Sequence, residues 1–320
     1  MCNVEGFING NIKDGAEKMP SVLDVREQCL SDIIESDIEC LRDPFVIYDD
    51  GVYYMYGTDW CCYRNSTGSL ENGWEGPYSV VEMPAGHESE GGCHWAPEVH
   101  KYKGSFYMFT TYLSNKTNRH GCVILKSDRP MGPFKPISDS YITPQDWDSI
   151  DGTFYIDNSG QPWMVFVHEW VSTEDGVGRM AAAKLSDDLT HFISEPIQLF
   201  RADDPLWAKA NVTDGCWMYK TEAGSLLMIW SNWDNAGYCV GIARSESGSI
   251  EGPWVQEDAV LYSKNFSGKY DGGHGMIFTH TDGRMYLSVH SPNSSEAGRP
   301  EKPVFVPIVE ENDTLVWRRK

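Results

Sequence analysis

One feature constrains this chain more than any other: a unit repeated five times, made of a short apolar strand, a polar turn containing glycine, and a second strand rich in aromatic residues and methionine. The copies read DPFVIYDDGVYYMYGT from Asp43, APEVHKYKGSFYMFTTY from Ala96, DGTFYIDNSGQPWMVFVH from Asp151, DGCWMYKTEAGSLLMIWSN from Asp214 and GHGMIFTHTDGRMYLSVHS from Gly273. Their starts lie about 53 to 63 residues apart. The turns DDG, KG, NSG, EAG and TDG carry the Gly and Asx chemistry of tight hairpins, and the flanking segments have the aromatic and β-branched content of strands. A third strand and another turn follow in most units, marked by a Gly-Pro-aromatic step at Gly76-Pro77-Tyr78, Gly132-Pro133-Phe134 and Gly252-Pro253-Trp254; the third unit reads SDDLTHFISEP instead. Four strands in each of five units predict an all-β fold, a five-bladed β-propeller with four-stranded antiparallel blades.

The repeats assign residues 41–320 to a single propeller domain and leave 1–40 as an N-terminal arm. Within that arm VLDVREQCLSDIIES, from Val22, has apolar positions near helical spacing and reads as a short helix. KPVFVPIVE and TLVWRR near the other end read as two strands, one of which completes a blade begun at the N-terminus.

Charge narrows the partners. Forty-seven acidic against 26 basic side chains give a formal net charge of −21, which repels nucleic acid and anionic membrane surfaces, would not hinder a neutral sugar, and fits a neutral oligosaccharide substrate best. The first residues lack a basic stretch followed by an apolar run, and no later stretch approaches the length of apolar sequence that spans a bilayer. Nine cysteines, an odd number with Cys61 and Cys62 adjacent and no CxxC pair, indicate neither a disulfide framework nor a zinc site. The expectation is therefore a cytoplasmic protein with reduced thiols. Oligomeric state leaves no trace in the repeats.

A propeller brings equivalent positions of its blades into a ring about the axis, so repetition in sequence becomes convergence in space. Reading the first residue of each innermost strand gives Asp43, Trp95 or Ala96, Asp151, Asp214 and His274. Any one Asp before Gly or Pro also fits a simple turn cap. Three at one phase of a repeat, where crowding like charges is costly, argue for chemistry.

The set RDPFVIYDDGVYYMYGT, HWAPEV, SIDGTFY, TDGCWMY and GGHGMIF resembles family 43 of the glycoside hydrolases, five-bladed propellers that cleave arabinan and xylan side chains, over most of the chain from about Leu41. The resemblance implies an inverting hydrolase with Asp43 as general base and Asp151 as the carboxylate that tunes and orients the acid. Trp95, opening the second repeat, is expected to stack on a sugar face at the cavity rim, and the resemblance implies that His274 approaches the substrate or a bound cation. No cofactor is required; calcium near His274 is the one metal entertained.

Blade four departs from the family, carrying Asp214-Gly215-Cys216 where Glu-Gly-Pro or Glu-Ala-Pro is usual. Three readings follow: Asp214 is a working acid in a narrower site, Glu98 or Glu169 supplies the proton, or hydrolysis has been lost. Phase favours Asp214. The expected activity is an exo-acting α-L-arabinofuranosidase ahead of a β-xylosidase, with endo-arabinanase behind both. A non-catalytic carbohydrate-binding propeller is the rival from another class. A retaining fructan hydrolase is disfavoured, because Arg42-Asp43-Pro44 stands where an Asn-Asp-Pro-Asn signature would be.

Overall fold

A computed structural model describes residues 33–293 and 298–317. It is a five-bladed propeller of four-stranded antiparallel blades. Blade one holds Phe45–Asp49, Val52–Gly57, Cys61–Asn65 and Glu75–Ser79; blade two holds His94–Tyr102, Ser105–Leu113, His120–Ser127 and Lys135–Pro136. Blade three holds Ser149–Ile156, Pro162–His168, Arg179–Lys184 and Ile197–Arg201; blade four holds Asp214–Lys220, Leu226–Asp234, Gly237–Ser245 and Trp254–Gln256.

Blade five is closed by both ends of the chain. Its inner strands are Gly273–Thr279, Met285–Ser291 and Lys302–Glu311, and its outer edge is shared between Ile34–Glu35, paired to Val304 and Phe305, and Thr314–Trp317, paired to Ile308–Glu311. Ring closure by mixed termini is what the two C-terminal strands predicted. Most of the helix expected from Val22 lies outside the described residues, and its described end, Ile34–Glu35, is strand.

The second strands read as nearly unbroken apolar runs because both faces of each blade are covered. In PWMVFVH, Met164 and Phe166 pack towards blade two with Phe109 and Ile124, while Val165 and Val167 pack towards blade four with Met228 and Trp230. Leu227 and Ile229 turn the other way, onto Leu287 and Val306 of blade five. Side chains alternate along a strand, so each run divides between two interblade cores. Each such fully buried side chain contributes about 1.5–3 kcal/mol, which fixes the radial order that the site depends on.

Candidate active site

The innermost strands begin with a shared distortion. In blades two to five the pairing skips between Trp95 and Glu98, Ile150 and Thr153, Asp214 and Trp217, and Gly273 and Met276. Within each skip one residue is left-handed: Ala96 (φ 42°), Asp151 (φ 57°), Gly215 (φ 44°) and His274 (φ 49°), matched in blade one by Asp43 (φ 57°). A bulge of this kind turns two consecutive side chains towards the axis, and strain at non-glycine residues persists where surrounding structure fixes it.

This register corrects the phase inferred from sequence. Asp43, Asp151 and His274 are equivalent, but the blade-four residue at their position is Gly215. Asp214 stands one place earlier, with Arg42, Trp95, Ile150 and Gly273. A side chain cannot replace Gly215, because a Cβ there would lie 2.8 Å from the His274 ring and 2.9 Å from the His274 Cα. The acid therefore enters from the neighbouring position.

Hydrogen bonds run from blade to blade around this ring. The N–H of Ala96 donates to Thr58 Oγ1 (3.2 Å), that of Asp151 to Thr111 Oγ1 (3.0 Å), that of His274 to Ser231 Oγ (2.9 Å) and that of Asp43 to His290 Nδ1 (3.4 Å). Each acceptor lies near the end of the second strand of the preceding blade. In blade three the corresponding residue, opposite Ile150, is Val167, which accepts nothing. There the Asp151 carboxylate itself takes the Gly215 N–H at 2.8 Å. Asp151 is thus tied to the backbone that carries Asp214.

A cavity of about 360 Å³ opens over the ring, lined by Arg42, Asp43, Trp95, Asp151, Asp214 and His274, with Thr58, Ile150, Glu169 and Trp170. Further along the axis His100 stacks on Trp217 (5.6 Å, 17°) and meets Phe45 (5.2 Å) and Phe154 (5.6 Å), closing the channel below the acids. Glu98 belongs to that plug, paired to His100 Nε2 at 3.1 Å, and does not line the cavity. A larger depression of about 580 Å³, beside Leu261, Phe266 and Trp317, lies at the outer edges of blades four and five, away from every residue of the ring.

The acids sit in different electrostatic surroundings. Burial favours neutral Asp43, but the His274 charge, contact with His290 and the Arg42 charge outweigh it and hold the carboxyl well below the usual range. Its Oδ2 accepts from Thr58 Oγ1 at 2.5 Å, while its buried Oδ1 lies 3.3 Å from both His274 Nδ1 and His290 Nδ1 and has no well-aligned hydrogen bond among the described residues. Burial pushes Asp214 up to about 7, and the Asp151 charge pushes the same way; His274, a hydrogen bond from Tyr238 Oη (3.0 Å to Oδ2) and Arg42 oppose it. Asp151 is also raised, by burial and by the charges of Asp43 and Glu169 against His274 and the Gly215 N–H. Burial opposes protonation of His274, yet Asp151, Asp43 and Asp214 raise its pKa overall. One ionised carboxylate and one protonated carboxyl facing a single cavity can activate a water and protonate a leaving oxygen.

The sequence profile of glycosyl hydrolases family 43 matches residues 38–308. The chain belongs to that family. An endo-arabinase from Bacteroides thetaiotaomicron is 35% identical, with 87% of this chain and 98% of that one covered and a TM-score of 0.75. An endo-1,4-β-xylanase from the same organism is 25% identical over 90% of this chain and 97% of that one, with a TM-score of 0.72. Among curated proteins, an extracellular exo-α-(1→5)-L-arabinofuranosidase of Cellvibrio japonicus (strain Ueda107) is 25% identical over 63% of each chain. This chain therefore spans under two thirds of that relative's length.

That relative's description overturns the cytoplasmic expectation: an extracellular family 43 enzyme points away from the cytoplasm. The inference had rested on first residues without a basic stretch and apolar run and on unpaired cysteines, but Cys62, Cys122, Cys216 and Cys239 are buried. Buried thiols pack as small apolar groups and report nothing of the compartment. Among the described residues no helix is long and apolar enough to cross a membrane.

In this family 43 chain Trp95 lines the cavity as expected, with its ring 4.3 Å from that of His120. His274 also lines it, but Nδ1 faces Asp43 (3.3 Å) and Asp151 (3.7 Å). Calcium takes oxygen ligands, and an imidazole nitrogen held against two carboxylates is a poor one, so this ring fits calcium poorly. One group among the described residues, His120, Asp148 and Glu169, brings ligand atoms within 4.8 Å. Its Asp148 is already engaged by Arg119 Nη1 at 2.6 Å and by the His120 N–H at 3.1 Å, and a guanidinium there repels a cation. Sequence reading missed Arg42, Thr58, Tyr238 and Trp170. Arg42 was findable, because it shares a phase with Trp95 and Asp214; Tyr238 and Trp170 sit outside the repeated segment.

Proposed function

We propose that this family 43 glycoside hydrolase is an inverting α-L-arabinofuranosidase acting on neutral arabino-oligosaccharides. One observation carries the reading: Asp43 and Asp214 line one cavity in opposed surroundings, Asp43 beside His274, His290 and Arg42, which hold its pKa down, and Asp214 buried near Asp151, which pushes its pKa up. Asp43 is the general base and its Oδ1 receives the proton of the attacking water. Asp214 is the general acid, and Asp151 raises its pKa while fixing its backbone through Gly215. His274 and Arg42 keep Asp43 ionised, and Trp95 offers an apolar face to the sugar. Chain charge of −21 suits an uncharged substrate. No cofactor enters this scheme.

Arabinose-containing substrates lead β-xylosides because an arabinofuranosidase and an endo-arabinase are both among the relatives. Endo-arabinanase action is the second reading, favoured by the 35% identity to that endo-arabinase. A panel of 4-nitrophenyl glycosides (α-L-arabinofuranoside, β-D-xyloside, β-D-galactoside, β-D-fructoside) with linear arabinan separates them. Release from the arabinofuranoside at a kcat/KM about tenfold or more above the others is expected. A fall in arabinan viscosity before free arabinose appears would favour endo cleavage, and turnover of nothing in the panel would leave a carbohydrate-binding propeller.

A further inference from the structure

The cavity holds a fourth carboxylate that the reaction does not use. Glu169 follows the second strand of blade three, and only 7% of its side chain is exposed. Its N–H donates to the Asp148 carbonyl at 2.8 Å. Its Oε2 lies 2.7 Å from His120 Nδ1, and the face of that His120 ring lies against Trp95. On the other side of Glu169 the chain continues into Trp170, which also lines the cavity.

A buried carboxylate held through Oε2 by His120, lining a cavity with two tryptophans, has the composition of a sugar subsite: flat apolar faces for the ring and a strong acceptor for a hydroxyl. Arg119 and Asp148 anchor the same loop, with Nη1 2.6 Å from Oδ2. A role as proton donor fits less well, because Glu169 belongs to the rim after a second strand, whereas the reacting groups sit on the innermost strands.

We propose that Glu169, oriented by His120, is a positioning and specificity residue that accepts a hydrogen bond from one hydroxyl of the bound sugar between Trp95 and Trp170. The proposal rests on the glycosidase reading above. A site built to accept from a hydroxyl discriminates strongly against a sugar lacking it, since the buried acceptor is then left unpaired.

The test compares parent, Glu169→Gln and His120→Asn on aryl arabinofuranosides lacking one ring hydroxyl at a time. With the intact glycoside, Glu169→Gln should raise KM roughly 10- to 100-fold, the loss of one charge-assisted hydrogen bond, with kcat within about threefold. His120→Asn should show the same pattern at smaller amplitude. One deoxy glycoside should be handled equally by parent and Glu169→Gln, which identifies the hydroxyl. An equal loss on every substrate, no loss on any, or a loss confined to kcat that vanishes with an activated leaving group would overturn the proposal. If the parent turns over no glycoside at all, it is the glycosidase reading that fails.

Discussion

Asp43→Asn should lower kcat/KM about 10⁴-fold on every glycoside the parent cleaves, the upper end of what a positioned general base supplies. The amide keeps the shape of the carboxylate and still accepts from Thr58, so sugar binding measured by calorimetry should stay within a few-fold of the parent. A modest fall in Tm should accompany the loss. The Asp43 pKa is depressed on folding by His274, His290 and Arg42 acting against burial, so its contribution to stability is present above the unfolded carboxylate pKa and is lost as pH falls towards the folded value. At neutral pH the variant forgoes that contribution. Leaving-group quality should not rescue it, because water must be activated whatever departs. Activity within tenfold of the parent would remove Asp43 from the role of base.

Asp214→Ala should behave differently, since a missing acid matters only where the leaving oxygen needs a proton. Natural oligosaccharides depart as alcohols and should lose about 10³-fold, while dinitrophenyl glycosides, which leave unaided, should keep kcat within roughly tenfold. The pH profile gives an independent reading. With Asp214 pushed up to about 7 by burial and Asp151, parental kcat/KM on oligosaccharides should decline above that pH as the acid deprotonates. Asp214→Ala should lack this decline on the activated substrate. Asp214→Glu then reports on reach: the extra methylene moves the carboxyl by about 1.5 Å, and misplacement of about 1 Å can cost roughly 100-fold. A sharp loss would indicate a cavity shaped around Asp, anchored by the Tyr238 hydroxyl at 3.0 Å. Equal losses for Asp214→Ala on both substrate classes would contradict the acid role.

The blades were legible because each carries the same hairpin, and because apolar runs such as PWMVFVH can be buried only between two neighbours. Asp43, Asp151 and His274 were legible as a ring for the same reason. The position of Asp214 was not, because a bulge sends two successive side chains to one side and breaks the alternation by which strand residues are assigned to faces. Identifying Gly215 as the equivalent of Asp151 needs the pairing of Asp214 with Ser231 and of Ile150 with Val167. Thr58, Thr111, Ser231 and His290 carry no motif of their own; what they share is a register. Glu169 was named only as an alternative acid, and Trp170 not at all, because both follow the second strand of blade three, outside the repeated segment. The outer edge strand Ile34–Glu35 is two residues long, too short for any periodicity to announce.

The account stands on two carboxylates acting from opposite sides of one bond, the base delivering water directly and no covalent sugar forming. Proton NMR of the first sugar released from an α-L-arabinofuranoside, recorded before mutarotation, tests this most directly. The β-anomer as first product is the predicted result. The α-anomer would require a nucleophile and a glycosyl-enzyme intermediate, and would contradict the roles given to Asp43 and Asp214.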